Sequence, residues 1–229
     1  MNLGTVQRIS QRVKVAMEGF EPAHDFAHVL RVHKNAKQIH ASEGGNGLVI
    51  ELVSLLHEMG DPKFFDPSKS LPMVQNWLKE AGVDETTSLL IMSILPQVGF
   101  SKQLGNGQSP IVELHIVQDA DRLEAIGAIG VARAFSYGAS KQRPFFLENI
   151  LPETFSDSVA YRQSQSPTVN HFFEKLFRLK DMMLTQTGKQ LAEQRHKTMW
   201  QFLNCFFEEM AIEDPNSKKY WKKLMQTHK

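Results

Sequence analysis

The stretch Ile116-Val-Gln-Asp-Ala-Asp-Arg-Leu-Glu-Ala-Ile-Gly-Ala-Ile-Gly-Val-Ala-Arg133 constrains this chain more than any other. It sets two carboxylates, Asp119 and Asp121, into a run that is otherwise mostly apolar and small. A carboxylate buried there without compensation costs several kcal/mol, so a cationic partner is expected beside at least one of them. On a helix, at about 100° per residue, the two acids differ by roughly 200° and cannot both face one pocket. Asp121 shares its face with Val117, Glu124, Ala125 and Ala128. Small residues at 125, 127, 128 and 130 leave room for a neighbouring helix to approach. Asp119 is expected to salt-bridge or to support the site from behind. Two other stretches supply matching groups: His28 in His24-Asp-Phe-Ala-His-Val-Leu-Arg-Val32, and His57-Glu58 in Leu55-Leu-His-Glu-Met-Gly-Asp-Pro-Lys63. Imidazoles and carboxylates brought together from three separated helices point to a metal site.

The rest of the chain reads as helices. Val6, Ile9, Val13 and Met17 predict an amphipathic helix over 5–19, ended by Gly19 and Pro22. A second opens at His24-Asp25, with Asp25 as cap or first-turn acid, and runs to Gly44-Gly45 with Val29, Val32, Ala36 and Ile39 inward. Residues 47–59 form a nearly all-apolar helix at the centre of the core, with His57-Glu58 in its last turn. Asp61 to Pro67 is an ordered loop, and helices over 70–81 and 84–95 follow. Residues 99–110 are glycine-rich and polar, the expected mobile loop. Residues 138–167, with Pro144, Pro152 and Pro167, form a long connector or lid. Ser166-Pro-Thr168 caps a helical region over 168–210, and 213–229 is a polar, lysine-rich and solvated tail, frayed or a short helix. The fold class is all-α, one domain over 1–229 with its core at about 20–210.

Composition narrows the function. Lys+Arg total 26 and Asp+Glu 25, a net charge of +1, so no global field draws the chain to a nucleic acid polymer or an anionic membrane. The single cysteine, Cys205, excludes an internal disulfide framework and is expected in the core among Phe202, Phe206 and Phe207. No signal-peptide run and no stretch of roughly 18 apolar residues is present, so a cytoplasmic location is expected. A thiolate metal site is ruled out. Imidazole and carboxylate donors suit a borderline or hard divalent cation: manganese first, with Mg, Fe, Zn, Co or Ni as alternatives.

His28 within His-x-x-Arg-Val, His57-acid followed by Gly-Asp-Pro-Lys, and Asp121 within Gln-Asp-Ala-Asp-Arg-Leu-Glu-Ala-Ile-Gly resemble the HD-domain metal-dependent phosphohydrolases. Thr168-Val-Asn-His-Phe-Phe-Glu-Lys-Leu-Phe-Arg-Leu-Lys-Asp-Met-Met183 and Ala192-Glu-Gln-Arg-His196 narrow the likeness to the YpgQ/YedJ-type branch. The match spans roughly 20–210.

The resemblance implies an HD-type helical bundle in which His28, His57, the acid at 58 and Asp121 hold the metal. Glu58 stands where that family carries aspartate; its extra methylene moves the oxygens by about one C–C bond, which matters to a coordination sphere. His115 precedes Asp121 by six residues on an opposed face, so one metal is expected rather than two. The implied reaction is metal-assisted hydrolysis of nucleotides, from a nucleoside or deoxynucleoside triphosphate to monophosphate and pyrophosphate. Rivals are a mononucleotide phosphatase and a nucleotide- or metal-binding protein silenced by Glu58. Glu58, Asp61 and Lys63 are the catalytic candidates. Substrate phosphates fall to Arg31, Lys63, Arg122, His171 and Lys175, with Arg133 and Lys180 behind them. A homodimer is compatible with apolar faces on the last helices.

Overall fold

The computed structural model describes residues 3–20, 25–99, 109–153 and 165–228. Every regular element among them is helical, as the periodicity predicts. No described helix is long and apolar enough to cross a membrane. The chain divides into two compact units. Residues 1–121 with Leu184–Gly188 make the first; Arg122–Met183 with Lys189–Lys229 make the second.

In the first unit, helices α1 (Leu3–Ala16), α2 (Phe26–Glu43), α3 (Gly47–Leu56), α4 (Pro67–Glu80) and α5 (Glu85–Ile94) are joined by most of α6 (Val112–Glu124). Helix α3 packs against α1, α2 and α5. A helix apolar on every side must be surrounded, and Val49, Ile50, Leu52, Val53, Leu55 and Leu56 are all buried. Side-chain caps set where these helices begin. Asp25 accepts from the His28 amide, Asn46 from Leu48 and Val49, and Asp84 from Thr87. Asp66 accepts from Ser68 with Pro67 at the first helical position, so α4 starts three residues earlier than its apolar pattern suggests.

Asp119 organises the far end of this unit. Its side chain is fully buried and accepts three kinds of donor: the Leu184 amide at 3.0 Å, the Thr185 amide at 2.7 Å and the Thr185 hydroxyl at 2.8 Å. The Thr185 hydroxyl also accepts from the Gly188 amide at 2.9 Å, the N-cap pattern for the helix that opens at Gln186. A Cβ on Gly188 would fall 2.5 Å from an Asp119 oxygen, so only glycine lets the carboxylate approach. Asp119 thus serves the start of the helix at Gln186 through backbone N–H groups, and the turn it holds interrupts the helical region foreseen over 168–210.

The second unit contains the end of α6, then α7 (Gly127–Ser140), α8 (Asn170–Glu174), a 3₁₀ stretch (Leu176–Met182), α9 (Gln186–Glu209) from Lys189 onward, and α10 (Pro215–Thr227). The stretch 116–133 is not one helix. It breaks after Glu124; Gly127 adopts φ +79°, and a Cβ on Gly130 would meet the Ala125 carbonyl at 2.3 Å. The small residues make this turn and also admit a neighbouring helix: a Cβ on Gly127 would meet the Arg195 side chain of α9 at 3.0 Å. The described part of the connector, residues 141–153, is pinned by backbone bonds from Thr168 to Pro144 and from Val169 to Phe145, and by Asn170 Nδ2 to the Ile150 carbonyl. Residues 154–164 and 100–108, which carry much of the two expected lids, lie outside the described residues.

Two expectations are overturned here. Cys205 is exposed: the buried stripe of α9 runs through Ala192, His196, Met199 and Leu203, and position 205 lies about 200° from Leu203. The lysine-rich tail is not merely solvated. Trp221 of α10 is buried among Phe146, Phe173 and Phe207, and its Nε1 donates to the Glu148 carbonyl at 3.1 Å.

Replacing Asp119 by Ala strands the Leu184 and Thr185 donors in a dry site and should cost about 3 kcal/mol in urea unfolding. A loss below about 0.5 kcal/mol would mean those donors find other partners.

Candidate metal centre

Three chain segments of the first unit bring the candidate groups together. His28 lies one turn into α2, placed by the Asp25 cap on its own amide at 2.9 Å. His57 follows the last residue of α3, where the helix tightens into a 3₁₀ turn over His57–Gly60 that carries Glu58. Asp121 comes from α6. The Nε2 atoms of His28 and His57 are 3.4 Å apart. Glu58 Oε1 lies 3.2 Å from His28 Nε2 and 3.7 Å from His57 Nε2. Asp121 Oδ1 is 3.7 Å from His28 Nε2.

His28, His57 and Glu58 are buried, and their ligand atoms all lie within 4.8 Å of one another. Asp121 stands at the edge of this group, its side chain 32% exposed, on the side open to solvent. It faces His28 while Asp119 turns away to Leu184 and Thr185, the division that the helical angle requires.

The donor set fits a divalent cation on its own chemistry. His57 Nδ1 lies 2.8 Å from the Ser54 carbonyl, which can only accept, so Nδ1 carries the proton. The lone pair of Nε2 is then directed at His28 and Glu58. Two imidazoles and a carboxylate, all dehydrated and converging, form a poor hydrogen-bond set but a good coordination set for a borderline or hard ion. Asn35 Nδ2, two turns along α2 from His28, donates to the Ala120 carbonyl at 3.1 Å and so ties α2 to α6 beside Asp121.

The other candidates are distributed unevenly. Asp61 accepts the Lys63 amide at 2.8 Å and so closes the turn after the 3₁₀ segment; Lys63 is exposed, with its ammonium over the Phe64 ring at 4.5 Å. Arg31 is half-buried, one turn after His28 on α2. His115 is not among the three clustered ligands. Arg122 is buried in the second unit, as is Glu124, which accepts from Arg133 through its carbonyl at 3.2 Å. Lys180 pairs with Glu193 at 3.4 Å.

His171 and Lys175 also belong to the second unit. Burial pushes the His171 imidazole down to about 3, with Lys175 and Arg143 adding to the shift, so it is neutral at neutral pH. The residues that pattern reading missed are His33, Ser54 and Asn35. Ser54 left a signal, as the lone hydroxyl in the apolar run of α3.

No family profile matches the chain. Individual proteins do. YpgQ of Bacillus subtilis is 34% identical over 203 residues, 88% of this chain and 91% of the relative. The crystal structure of an HD-superfamily hydrolase from Bacillus thuringiensis is 35% identical, with a TM-score of 0.75, covering 93% of this chain and 100% of the other. A crystal structure of Bacillus subtilis YpgQ in complex with ADP superposes with a TM-score of 0.72 at 29% identity, covering 90% of this chain and 98% of the other. The fold is that of an HD-superfamily hydrolase. More narrowly, the chain belongs to the family of Bacillus subtilis YpgQ.

The depressed His171 sets a pH dependence. The folded chain resists a proton that the unfolded chain accepts near 6.5, so stability is full above that value and is lost as pH falls from about 6.5 toward 3. His196 and His228, also lowered by burial, act in the same direction. Urea midpoints measured between pH 7 and 5 should fall in the wild type and fall less in His171→Gln. An equal decline in both would place the acid sensitivity elsewhere.

Proposed function

We propose that this chain, acting as a single HD-type domain, is a metal-dependent phosphohydrolase of nucleotides. It converts a nucleoside or deoxynucleoside triphosphate to the monophosphate and pyrophosphate. The observation that carries the reading is the buried convergence of His28, His57 and Glu58, with Asp121 beside it. The binding of ADP by the related YpgQ supports a nucleotide as the ligand. A net charge of only +1, and the lack among the described helices of one long and apolar enough to cross a membrane, support a free nucleotide rather than a polymer or a lipid surface.

In this reading His28, His57, Glu58 and Asp121 hold one divalent ion, manganese by preference. When bound, such an ion activates water near neutral pH and offsets charge on phosphoryl oxygens. The residues do the rest. His57, oriented by the Ser54 carbonyl, offers Nε2 and keeps its proton on Nδ1. Asp121, the exposed member, marks where substrate and water enter. Asp61 orients the attacking water, while Lys63 and Arg31 receive the phosphates from the loop and from α2. By the family resemblance alone, Arg122, His171 and Lys175 are candidates for phosphate contacts, with His171 neutral at neutral pH. Glu58 reaches both imidazoles with one oxygen, which supports a site adapted to glutamate rather than disabled by it.

Incubating the purified chain with a nucleotide panel and Mn or Mg should release pyrophosphate from triphosphates. Inorganic phosphate from mononucleotides would instead indicate a phosphatase, and tight nucleotide binding without turnover would indicate a binding protein. Glu58→Asp should lower activity or leave it within about threefold, since it retracts the oxygen by about one C–C bond. A sharp rise would show that Glu58 had silenced the site.

A further inference from the structure

Ser54 is a fully buried hydroxyl in an otherwise apolar helix, a position that is costly unless the group is bonded. Its Oγ lies 2.9 Å from the Glu51 carbonyl and 3.0 Å from His33 Nδ1. On the other side of the ring, His33 Nε2 is 3.4 Å from Glu51 Oε2, which also faces Lys37 Nζ at 3.7 Å. These groups form a polar chain from α2 to α3, with His33 five residues after His28 and Ser54 three before His57. The order serine, histidine, glutamate resembles a nucleophilic triad, but a hydroxyl with no exposure cannot reach a substrate.

The Ser54 backbone gives the chain its meaning. Its carbonyl accepts the Nδ1 proton of His57 at 2.8 Å. That carbonyl is among the last four of α3, where the α-helical ladder ends and no longer dictates direction. The backbone tightens into the 3₁₀ turn directly afterwards. Farther along, the turn is held by the Ser70 hydroxyl on the Met59 carbonyl at 2.6 Å and by the Asp61 amide on the Glu58 carbonyl at 3.1 Å; at its entry the Ser54 hydroxyl is bonded back to Glu51 and across to His33.

We propose that His33 is a positioning residue for the metal centre. Its bond to Ser54 holds the turn that presents the Ser54 carbonyl to His57, and so sets the His57 tautomer and the meeting of the two Nε2 atoms. The inference rests on the reading of His28, His57 and Glu58 as metal ligands.

Two measurements on the full chain test it. Long-range ¹H–¹⁵N NMR of the metal-free protein reads the His57 tautomer, and Mn(II) titration reads affinity. Wild type should show His57 protonated at Nδ1. His33→Ala should show mixed tautomers and about tenfold weaker Mn(II) binding, as loss of supporting partners does at other metal sites. His33→Asn places an amide oxygen or N–H where Nδ1 lies and should restore the tautomer, with affinity within about threefold of wild type. Ser54→Ala, which is small enough for the helix to keep, should reproduce the tautomer loss if His33→Ala folds poorly. A wild-type tautomer and affinity in His33→Ala, or an Asn variant no better than Ala, would overturn the positioning role alone. Absence of Mn(II) binding by the wild type would overturn the metal-centre reading beneath it.

Discussion

One carboxylate sets the terms for the first unit. Glu58 is 5% exposed and lies against two buried imidazoles, so its charge must be compensated within a few ångströms or the segment would not stay folded. A proton shared with His28 would serve for folding. A divalent ion would serve better, because it also draws the lone pair of His57 Nε2 into use. His57 and Glu58 open the 3₁₀ turn that follows α3, and from there both side chains reach the His28 imidazole.

The scaffold around this point is built from polar groups placed where the backbone needs them. Asp25, Asn46, Asp66 and Asp84 cap helices, and Asp25 does so on the amide of His28 itself. Asp119 does the same at longer range for Leu184 and Thr185. Asn35 and His33 cross-link α2 to α6 and to α3 close to Asp121 and His57. His28, His57, Glu58 and Asp121 thus sit near helix ends whose directions are fixed by hydrogen bonds, while the apolar body of α3 supplies burial. Stability and geometry come from different residues. Substitutions in α3 should therefore act on folding first, and those at the cross-links on the site first.

The outline of this arrangement was legible in the residues. Helical spacing separated Asp119 from Asp121, and the ordered histidines and acids named the cluster, because both depend on local period and on donor chemistry. What was not legible depended on distant partners. Gly127, at positive φ, lies where a Cβ would meet the Arg195 side chain at 3.0 Å, and the break before Gln186 follows from Asp119, 65 residues away from Leu184. Small residues and a threonine hydroxyl carry no period that would announce either turn. Cys205 is exposed for a related reason: Phe202, Phe206 and Phe207 spread over several faces of α9, and only the full stripe through Leu203 shows which side is inward. The burial of Trp221 was hidden by the lysines around it, whose stems and charges remain outside.

Elemental analysis of the purified chain beside its His57→Ala variant bears most directly on the claim that this cluster is a metal centre. The account predicts about one equivalent of a divalent transition metal in the wild type, as expected for a single set of imidazole and carboxylate donors, and loss of that metal in the variant. An equal metal content in both proteins, or none in the wild type after reconstitution with Mn, would contradict it.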